Sequence, residues 1–263
     1  MPGDISRLLD VSGLRVSVPG RVLVDALDMT LERGEFIAVL GRNGTGKTLS
    51  LLTLAGLRRP DGGTVRLGGT AIGALRRQQV AQRLALLPQD TDDIFPATVL
   101  DTALVGRHPH IGRFRWESPQ DCELARASLA IVGMEDLSHR DVLSLSGGER
   151  RRLAIAQVLT QSPEVYLLDE PTNHLDPQHQ VDTLHVFRRA ADTGAGVIAS
   201  LHDVNLAARV ADRCLLLFGD GRWEFGTTDE VLDEERLEAL FETPMEAVRW
   251  RDRRLFVAGG ERP

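Results

Sequence analysis

The sequence predicts an α/β protein with a mostly parallel β-sheet core, an N-terminal antiparallel β subdomain and an inserted α-helical subdomain. Three observations predict this fold. Short and almost continuously apolar runs alternate with helix-type segments, as is typical of parallel strands covered on both faces. These runs are residues 36–40, 84–88, 165–168 and 197–201. Residues 8–31 are β-rich with turns, whereas residues 91–146 contain no strand-type run.

Length and charge limit the class of protein. The chain has 263 residues and a formal net charge of −7, with acidic and basic residues interspersed. This length fits one domain with an insertion, and the lack of a basic block argues against nucleic-acid binding. Cys122 and Cys214 lie in apolar contexts, which predicts buried, reduced thiols in a cytosolic chain. The sequence shows no secretory signal pattern and no apolar run of about 18 residues, so neither export nor a membrane span is expected.

The N-terminal β subdomain is predicted from three short β-rich runs. They are residues 14–18, 22–24 and 27–31. Pro19 and Gly20 are a turn signal between the first two runs. We therefore expect antiparallel strands that lead into the apolar strand at residues 36–40.

A glycine-rich segment follows that strand and precedes a helix-type run at residues 49–55. It consists of Gly41, Arg42, Asn43, Gly44, Thr45, Gly46, Lys47 and Thr48. This order fits G-x-x-x-x-G-K-[ST] between a buried strand and a helix start, where backbone N–H groups and the helix N-terminus hold phosphate. We predict that Lys47 reaches the β- and γ-phosphates of a nucleotide and that the Thr48 hydroxyl binds Mg²⁺.

The next predicted elements are a helix, a strand that ends beside Gln89, and the helical subdomain. A polar helix at residues 74–83 precedes the apolar strand 84–88, which ends beside Gln89. Thr98 and Ser118 are then typical helix N-caps, and the second helix continues until Gly133. We expect this helical subdomain, about residues 91–146, to interrupt a core of about residues 1–90 and 147–225.

Three more polar groups follow apolar strands when the alternation returns. Asp169 and Glu170 come directly after the third apolar run, and His202 follows the fourth. Because parallel strands end at one edge of a sheet, these side chains are expected near Gln89 and the phosphate loop. We predict that Asp169 also binds Mg²⁺ and that Glu170 activates the attacking water.

The C-terminal part completes the single domain, residues 1–263. Residues 214–218 predict another strand, residues 228–241 predict a helix, and a hairpin is expected on either side of that helix. We assign about residues 226–263 to a C-terminal extension.

A second anion-binding segment begins a helix at residues 148–160. Ser146, Gly147 and Gly148 precede Glu149, so exposed N–H groups and the positive end of a helix again suit an anion. If each chain binds one nucleotide, the phosphate loop already accounts for it, and the second segment has no ligand within the same chain. Together with the phosphate loop and residues 165–170, the segment resembles the ATP-binding-cassette (ABC) ATPases, over roughly residues 9–257.

The resemblance implies a P-loop NTPase core that binds and hydrolyses ATP with Mg²⁺. In that family two ATPase subunits pair head to tail, and each ATP lies between the phosphate loop of one subunit and the Leu-Ser-Gly-Gly segment of the other. A homodimer is therefore expected. The residues implied to contact the nucleotide of the opposite subunit are Ser146, Gly147, Gly148, Glu149 and Asp176.

Other positions match the family one by one. Gln89 matches the glutamine that contacts Mg²⁺ or water where the helical subdomain joins the core, and His202 matches the histidine that contacts the γ-phosphate. The implied catalytic residues are thus Glu170, His202 and Gln89, and the implied Mg²⁺ ligands are Thr48, Gln89 and Asp169. Val18 stands where the family commonly places an aromatic residue against adenine. The usual stacking contact is therefore in doubt.

Residues 106–110 resemble the branch of the family that serves importers of iron–siderophore, haem and cobalamin. That branch implies transmembrane permease subunits, a periplasmic or lipoprotein substrate-binding protein, and a peripheral place on the cytoplasmic face of the membrane. Two alternatives stay open: an importer of another substrate, and a soluble ABC ATPase acting on nucleic acid or the ribosome. Members of the latter kind usually carry two cassettes or a long coiled-coil insertion, so no nucleic-acid partner is expected.

Overall fold

The structure is a computed structural model that describes residues 6–89, 96–112, 115–173, 175–251 and 253–259. Residues 91–95 of the predicted helical subdomain lie outside this description, as do the two ends of the chain. The strands are β1 (Arg7–Val18), β2 (Arg21–Glu32), β3 (Phe36–Leu40), β4 (Gly62–Leu67), β5 (Thr70–Ala71), β6 (Leu84–Leu87), β7 (Val165–Leu168), β8 (Gly196–Leu201), β9 (Arg213–Leu217), β10 (Trp223–Thr227), β11 (Met245–Trp250) and β12 (Arg253–Ala258). The helices are α1 (Lys47–Leu54), α2 (Arg77–Ala81), α3 (Val99–Leu104), α4 (Pro119–Ile131), α5 (Gly147–Gln161), α6 (Pro177–Asp192), α7 (Val204–Val210), α8 (Thr228–Val231) and α9 (Glu234–Phe241).

A six-stranded sheet in the order β10-β9-β3-β8-β7-β6 forms the core. Its strands from β9 to β6 are parallel, and β10 is an antiparallel edge. Every residue of β3 is buried: Phe36, Ala38 and Leu40 pack into one hydrophobic cluster, and Ile37 and Val39 into another. The sheet is therefore covered on both faces, and the predicted α/β class with a mostly parallel sheet is confirmed.

A four-stranded antiparallel sheet, β2-β1-β4-β5, packs beside this core, and its strands β4 and β5 follow β3 in the chain. The prediction of three short runs was wrong, since two strands of 12 residues each span the region. Gly13 and Ala26 have φ values of 59° and 51°, and the pairing of β1 with β2 shifts register at several points. Such irregularities interrupt the alternating pattern in the sequence without ending the strands.

The helical segment builds a third hydrophobic cluster of its own. Val99, Ala103, Ala125 and Leu129 from α3 and α4 contribute to it. Helix α5 belongs to both sides, because its Leu153 and Ala156 pack into this cluster while its Ala154, Ile155 and Val158 pack into the core of the sheet. The helical segment is thus connected to the sheet through α5.

The C-terminal residues differ from their prediction in one helix. Residues 228–241 form two helices, α8 and α9, because the Asp233 carboxylate accepts a hydrogen bond from the Arg236 N–H at 2.8 Å and begins a new helix. The hairpin of β11 and β12 is attached to α7, where the Asn205 side chain bonds both the N–H and the carbonyl of Phe256.

The remaining sequence expectations concern thiols and membranes. Cys214 is buried and burial raises its pKa to about 11, whereas Cys122 is only partly buried, which corrects the expectation for that thiol. Within the described ranges, no helix combines the length and the apolar character needed to cross a membrane.

Candidate nucleotide-binding site

The glycine-rich segment forms a tight loop between β3 and α1. A Cβ atom on Gly41 would lie 2.6 Å from the carbonyl oxygen of Leu217 and 2.6 Å from Oγ1 of Thr45, so only glycine fits there. Gly46 precedes α1 with a φ of 105°, a backbone conformation that favours glycine. The loop therefore brings backbone N–H groups and the N-terminus of α1 to one place, as a phosphate site requires.

Lys47 extends back over this loop rather than into solvent. Its buried side chain donates hydrogen bonds from Nζ to the carbonyl oxygens of Gly41 at 2.7 Å and Arg42 at 3.2 Å. Burial lowers the pKa of Lys47, and the charges of Glu170 and Asp169 partly offset that effect. A buried lysine ammonium in such a loop is well suited to bind phosphate oxygens through charge-assisted hydrogen bonds.

Asp169 and Glu170 directly follow the end of β7. Both are buried, and Ser200 in β8 joins them: its Oγ donates to Asp169 Oδ1 at 2.6 Å and accepts from the Glu170 N–H at 2.9 Å. Glu170 has a φ of 49°, which is uncommon for a non-glycine residue and turns the chain at this point. Sequence reasoning missed Ser200, although a lone hydroxyl in an apolar strand was a signal that could have found it.

Both oxygens of the Glu170 carboxylate have partners. Oε1 lies 2.6 Å from Nε2 of His202, and Oε2 accepts a hydrogen bond from the side-chain amide of Asn173. The carboxylate is therefore oriented by two neighbours at the sheet edge. Asn173 was not a predicted site residue.

A cavity of about 580 Å³ connects these groups. It is lined by Val18, Arg21, Leu23, Asn43, Gly44, Gly46, Lys47, Thr48, Leu49, Gln89, Glu170, Asn173 and His202. The structure thus brings the phosphate loop, Gln89, Glu170 and His202 around one space. Asp169 does not line the cavity and is only 3% exposed.

The three predicted Mg²⁺ ligands all carry oxygen atoms, and two of them, Thr48 and Gln89, line the cavity. Thr48 offers a hydroxyl, Gln89 an amide oxygen and Asp169 a carboxylate, which are the hard ligands that Mg²⁺ prefers beside substrate phosphates and water. In the described part of the chain, no cluster of three or more His, Cys, Asp or Glu side chains could hold a metal by itself. The geometry therefore suits a metal that arrives with a phosphate ligand rather than a cage made by the protein alone.

Arg151, near the start of α5, is a further residue that sequence reasoning missed. Its buried guanidinium donates to the carbonyl oxygens of Pro88 at 2.6 Å and Gln89 at 3.1 Å, and to those of Asp169 and Glu170 at 2.8 Å each. One side chain thus joins the ends of β6 and β7 to α5. In the sequence it lies within three consecutive arginines, a pattern more typical of a solvated helix face.

The second anion-binding segment lies outside the cavity of its own chain. Ser146 caps α5 by accepting from the Glu149 N–H at 3.3 Å, and Glu149 Oε2 accepts from the Ser146 N–H at 2.7 Å. Hydrogen bonds to the Glu149 carboxylate from the Ser146 N–H and from the Ser146 side chain lower the pKa of Glu149. Ser146 and Gly147 are exposed, and so is Asp176, which caps α6. The structure does not bring Ser146, Gly147, Gly148, Glu149 or Asp176 to the nucleotide cavity of the same chain.

A phosphate loop after a central strand, with two acids ending a nearby parallel strand, defines a P-loop ATPase. Comparison with known proteins gives the family: the ABC transporter family model matches residues 24–173. The chain belongs to this family and is similar to its ATP-binding subunits, so the predicted family and fold are confirmed.

Individual relatives carry more specific names. The hemin import ATP-binding protein of Rhodopseudomonas palustris is 38% identical over 87% of this chain and 86% of its own. The petrobactin import ATP-binding protein of Bacillus anthracis is 34% identical over 90% and 87%. The cobalamin import ATP-binding protein of Halobacterium salinarum is 39% identical over 89% of this chain, which spans only 58% of that relative.

A solved structure described as an inward-facing conformation of a metal-chelate type ABC transporter is also similar. It has a TM-score of 0.84 and 29% sequence identity, over 97% of this chain and 98% of its own. A nucleotide-free ATP-binding cassette with 18% identity and a TM-score of 0.74 shares the fold. These names agree with the predicted branch of the family.

Proposed function

We propose that this chain is the ATP-hydrolysing subunit of a membrane ABC importer that takes up a metal chelate of the iron–siderophore, haem or cobalamin kind. The observation that carries the proposal is the meeting of Lys47, Glu170 and His202 around one cavity. The names of the hemin, petrobactin and cobalamin relatives support the class of substrate.

Different side chains of the site have different roles in ATP hydrolysis. Lys47 and the loop N–H groups bind the phosphates, while Thr48, Gln89 and Asp169 would hold Mg²⁺, which supplies charge neutralisation of the phosphates. Glu170 accepts a proton from the water that attacks the γ-phosphorus, as the bond from that phosphorus to the bridging oxygen breaks and ADP leaves. Each Glu170 oxygen has one neighbour, His202 or Asn173, and each keeps a further lone-pair site that can accept a hydrogen bond from the attacking water.

The functional assembly contains more than one protein chain. We propose a head-to-tail homodimer in which Ser146, Gly147, Gly148, Glu149 and Asp176 face the ATP of the opposite subunit. Their position outside their own cavity supports this arrangement. The dimer would act at the cytoplasmic face of the membrane with permease subunits and a substrate-binding protein.

Glu170→Gln tests the assignment of the catalytic carboxylate. The amide keeps the shape of the side chain but cannot accept the proton, so ATP should still bind while hydrolysis falls about 100- to 1,000-fold. The variant should also accumulate as an ATP-bound dimer, detectable by light scattering after gel filtration. Glu235→Gln, an exposed carboxylate on α9, is the matched control. Normal turnover by Glu170→Gln would remove Glu170 from its proposed role.

The transport function is tested in cells with the same variant. A strain lacking the gene should lose growth on haem, siderophore-bound iron or cobalamin as the sole source. The unchanged chain should restore that growth and Glu170→Gln should not. A membrane permease should be recovered with the chain, whereas co-fractionation with ribosomes or DNA at physiological salt would contradict transport.

A further inference from the structure

One end of the nucleotide cavity is formed by the turn of the β1–β2 hairpin. Val18 and Arg21 are directly paired across that turn, so their side chains lie on the same face of the hairpin. Leu23 lies two residues beyond Arg21 on the same strand, at a shift of the pairing register. All three line the cavity.

This end of the hairpin contacts the phosphate loop. A Cβ atom on Gly46 would lie 3.1 Å from Cβ of Leu23, and one on Gly219 would lie 2.9 Å from Cα of Thr45. The same Gly219 position is 3.1 Å from Nη2 of Arg21. A nucleotide whose phosphates occupy the loop therefore has this hairpin surface within reach of its remaining groups.

Arg21 is anchored at one edge only. Its Nε donates to the carbonyl oxygen of Gly219 at 2.7 Å, and among the described residues it has no acidic partner. Arg15 on the same hairpin differs, because it lies 3.7 Å from the Asp25 carboxylate. A backbone carbonyl thus orients the guanidinium of Arg21, and its planar face remains available for contact with a ligand.

The residues described as lining the cavity include one aromatic ring, that of His202, which is paired with Glu170. Val18, 37% exposed, offers apolar contact but no plane. An arginine guanidinium can take the place of an aromatic side chain, since it is planar, weakly hydrated and stacks on π-systems.

We propose that the Arg21 guanidinium is the platform on which the base of the bound nucleotide stacks, with Val18 and Leu23 closing the apolar sides. This rests on the proposed function in so far as the chain must bind ATP. Stacking does not read the edge of a base, so the platform accepts adenine and guanine alike.

Arg21→Ala tests the platform by equilibrium binding to the full chain. The ligands are ATP, GTP and inorganic tripolyphosphate, which has the phosphates without a base. We expect Kd to rise about 5- to 30-fold for ATP and GTP and to stay unchanged for tripolyphosphate. Arg15→Ala, which removes an equal charge from the same hairpin, should change none of the three.

Two further variants separate stacking from charge. Arg21→Lys keeps the charge but lacks the plane, so its ATP affinity should fall nearly as far as that of Arg21→Ala. Val18→Tyr combined with Arg21→Ala should recover ATP binding, because it supplies a ring on the same face. Unfolding temperatures should confirm that each variant is folded.

The outcomes distinguish this proposal from the one on which it rests. Unchanged ATP affinity in Arg21→Ala would overturn the platform alone, and so would an equal loss of tripolyphosphate binding, because Arg21 would then be a phosphate ligand. A wild-type chain that binds tripolyphosphate but not ATP or GTP would overturn both proposals.

Discussion

At the scale of residues, Arg151 connects several parts of the candidate site, because its guanidinium bonds several backbone carbonyl oxygens. A buried guanidinium is costly unless its donors are satisfied, and here carbonyl oxygens at the ends of β6 and β7 satisfy them. Those carbonyls belong to Gln89, Asp169 and Glu170 and to the neighbouring Pro88. We infer that Arg151 is a positioning residue, acting on the groups that we propose to contact Mg²⁺ and water.

Arg151→Lys is expected to lower kcat about 10-fold or more, because one ammonium cannot reproduce a planar fork of donors. The Mg²⁺ concentration needed for half-maximal hydrolysis should rise, while ATP affinity measured without Mg²⁺ should not change, since the phosphate loop is untouched. Steady-state kinetics across a Mg²⁺ titration gives kcat and the half-maximal Mg²⁺ concentration, and equilibrium binding without Mg²⁺ gives the ATP affinity.

The control for this variant is Arg152→Lys, whose guanidinium bonds the carbonyl oxygens of Val132 and Gly133 instead. It should leave the Mg²⁺ dependence unaltered. If Arg151→Lys lowered only the unfolding temperature and kept normal kinetics, Arg151 would be structural and not positioning.

Residues differ in how far their place could be read from the sequence. Gln89, Asp169 and His202 each follow an apolar strand, so the edge of the sheet where they lie could be expected from strand direction alone. Ser200 and Arg151 are buried and bond groups of a distant segment: Ser200 bonds the Asp169 carboxylate, and Arg151 bonds backbone carbonyl oxygens. Neither strand nor helix periodicity encodes such contacts.

At the scale of elements, the helical segment depends on close packing between the turn at residues 105–110 and α5. A Cβ atom on Gly106 would lie 2.3 Å from the carbonyl oxygen of Gln157 and 3.0 Å from the N–H nitrogen of Gln161. These are backbone atoms of a helix and cannot move aside at low cost. Gly106 therefore allows an approach that no other residue permits.

Gly106→Ala should destabilise the fold by about 1–3 kcal/mol through overpacking, which lowers the unfolding temperature by about 2–12 °C in a chain of this size. Thermal unfolding followed by circular dichroism measures the shift. Gly73→Ala is the matched control, because a Cβ atom there meets nothing within 4 Å. A similar stability of both variants would contradict the packing argument.

Element boundaries show where local patterns were sufficient. Thr98 and Ser118 begin helices as their cap chemistry predicts. The break between α8 and α9 was missed because Asp233 lies in a run that continues to look helical, and only its hydrogen bond to the Arg236 N–H marks a new start. Bulges in β1 and β2 were missed because tertiary pairing holds a strand together through an irregular residue.

At the scale of the whole molecule, the two predicted anion-binding segments of one chain lie in different surroundings. The phosphate loop lies in a cavity with Glu170 and His202, whereas Ser146 and Gly147 face solvent. A head-to-tail pair would give each phosphate loop the exposed segment of the other subunit. The catalytic unit would then be a composite of two chains.

Ser146→Arg tests this composite in the Glu170→Gln background, where ATP should hold the dimer together. The bulky cation should block the approach of the opposite ATP, so light scattering should find monomers at ATP concentrations that dimerise Glu170→Gln alone. ATP affinity of the monomer should be unchanged, because Ser146 lies outside the cavity of its own chain.

Loss of the cap should cost about 1 kcal/mol of stability, which Ser146→Ala measures separately. Ala127→Arg, an added charge on the exposed face of α4, should still dimerise. If Ser146→Arg instead weakened ATP binding by the monomer, the segment would act within its own chain and the head-to-tail arrangement would be wrong.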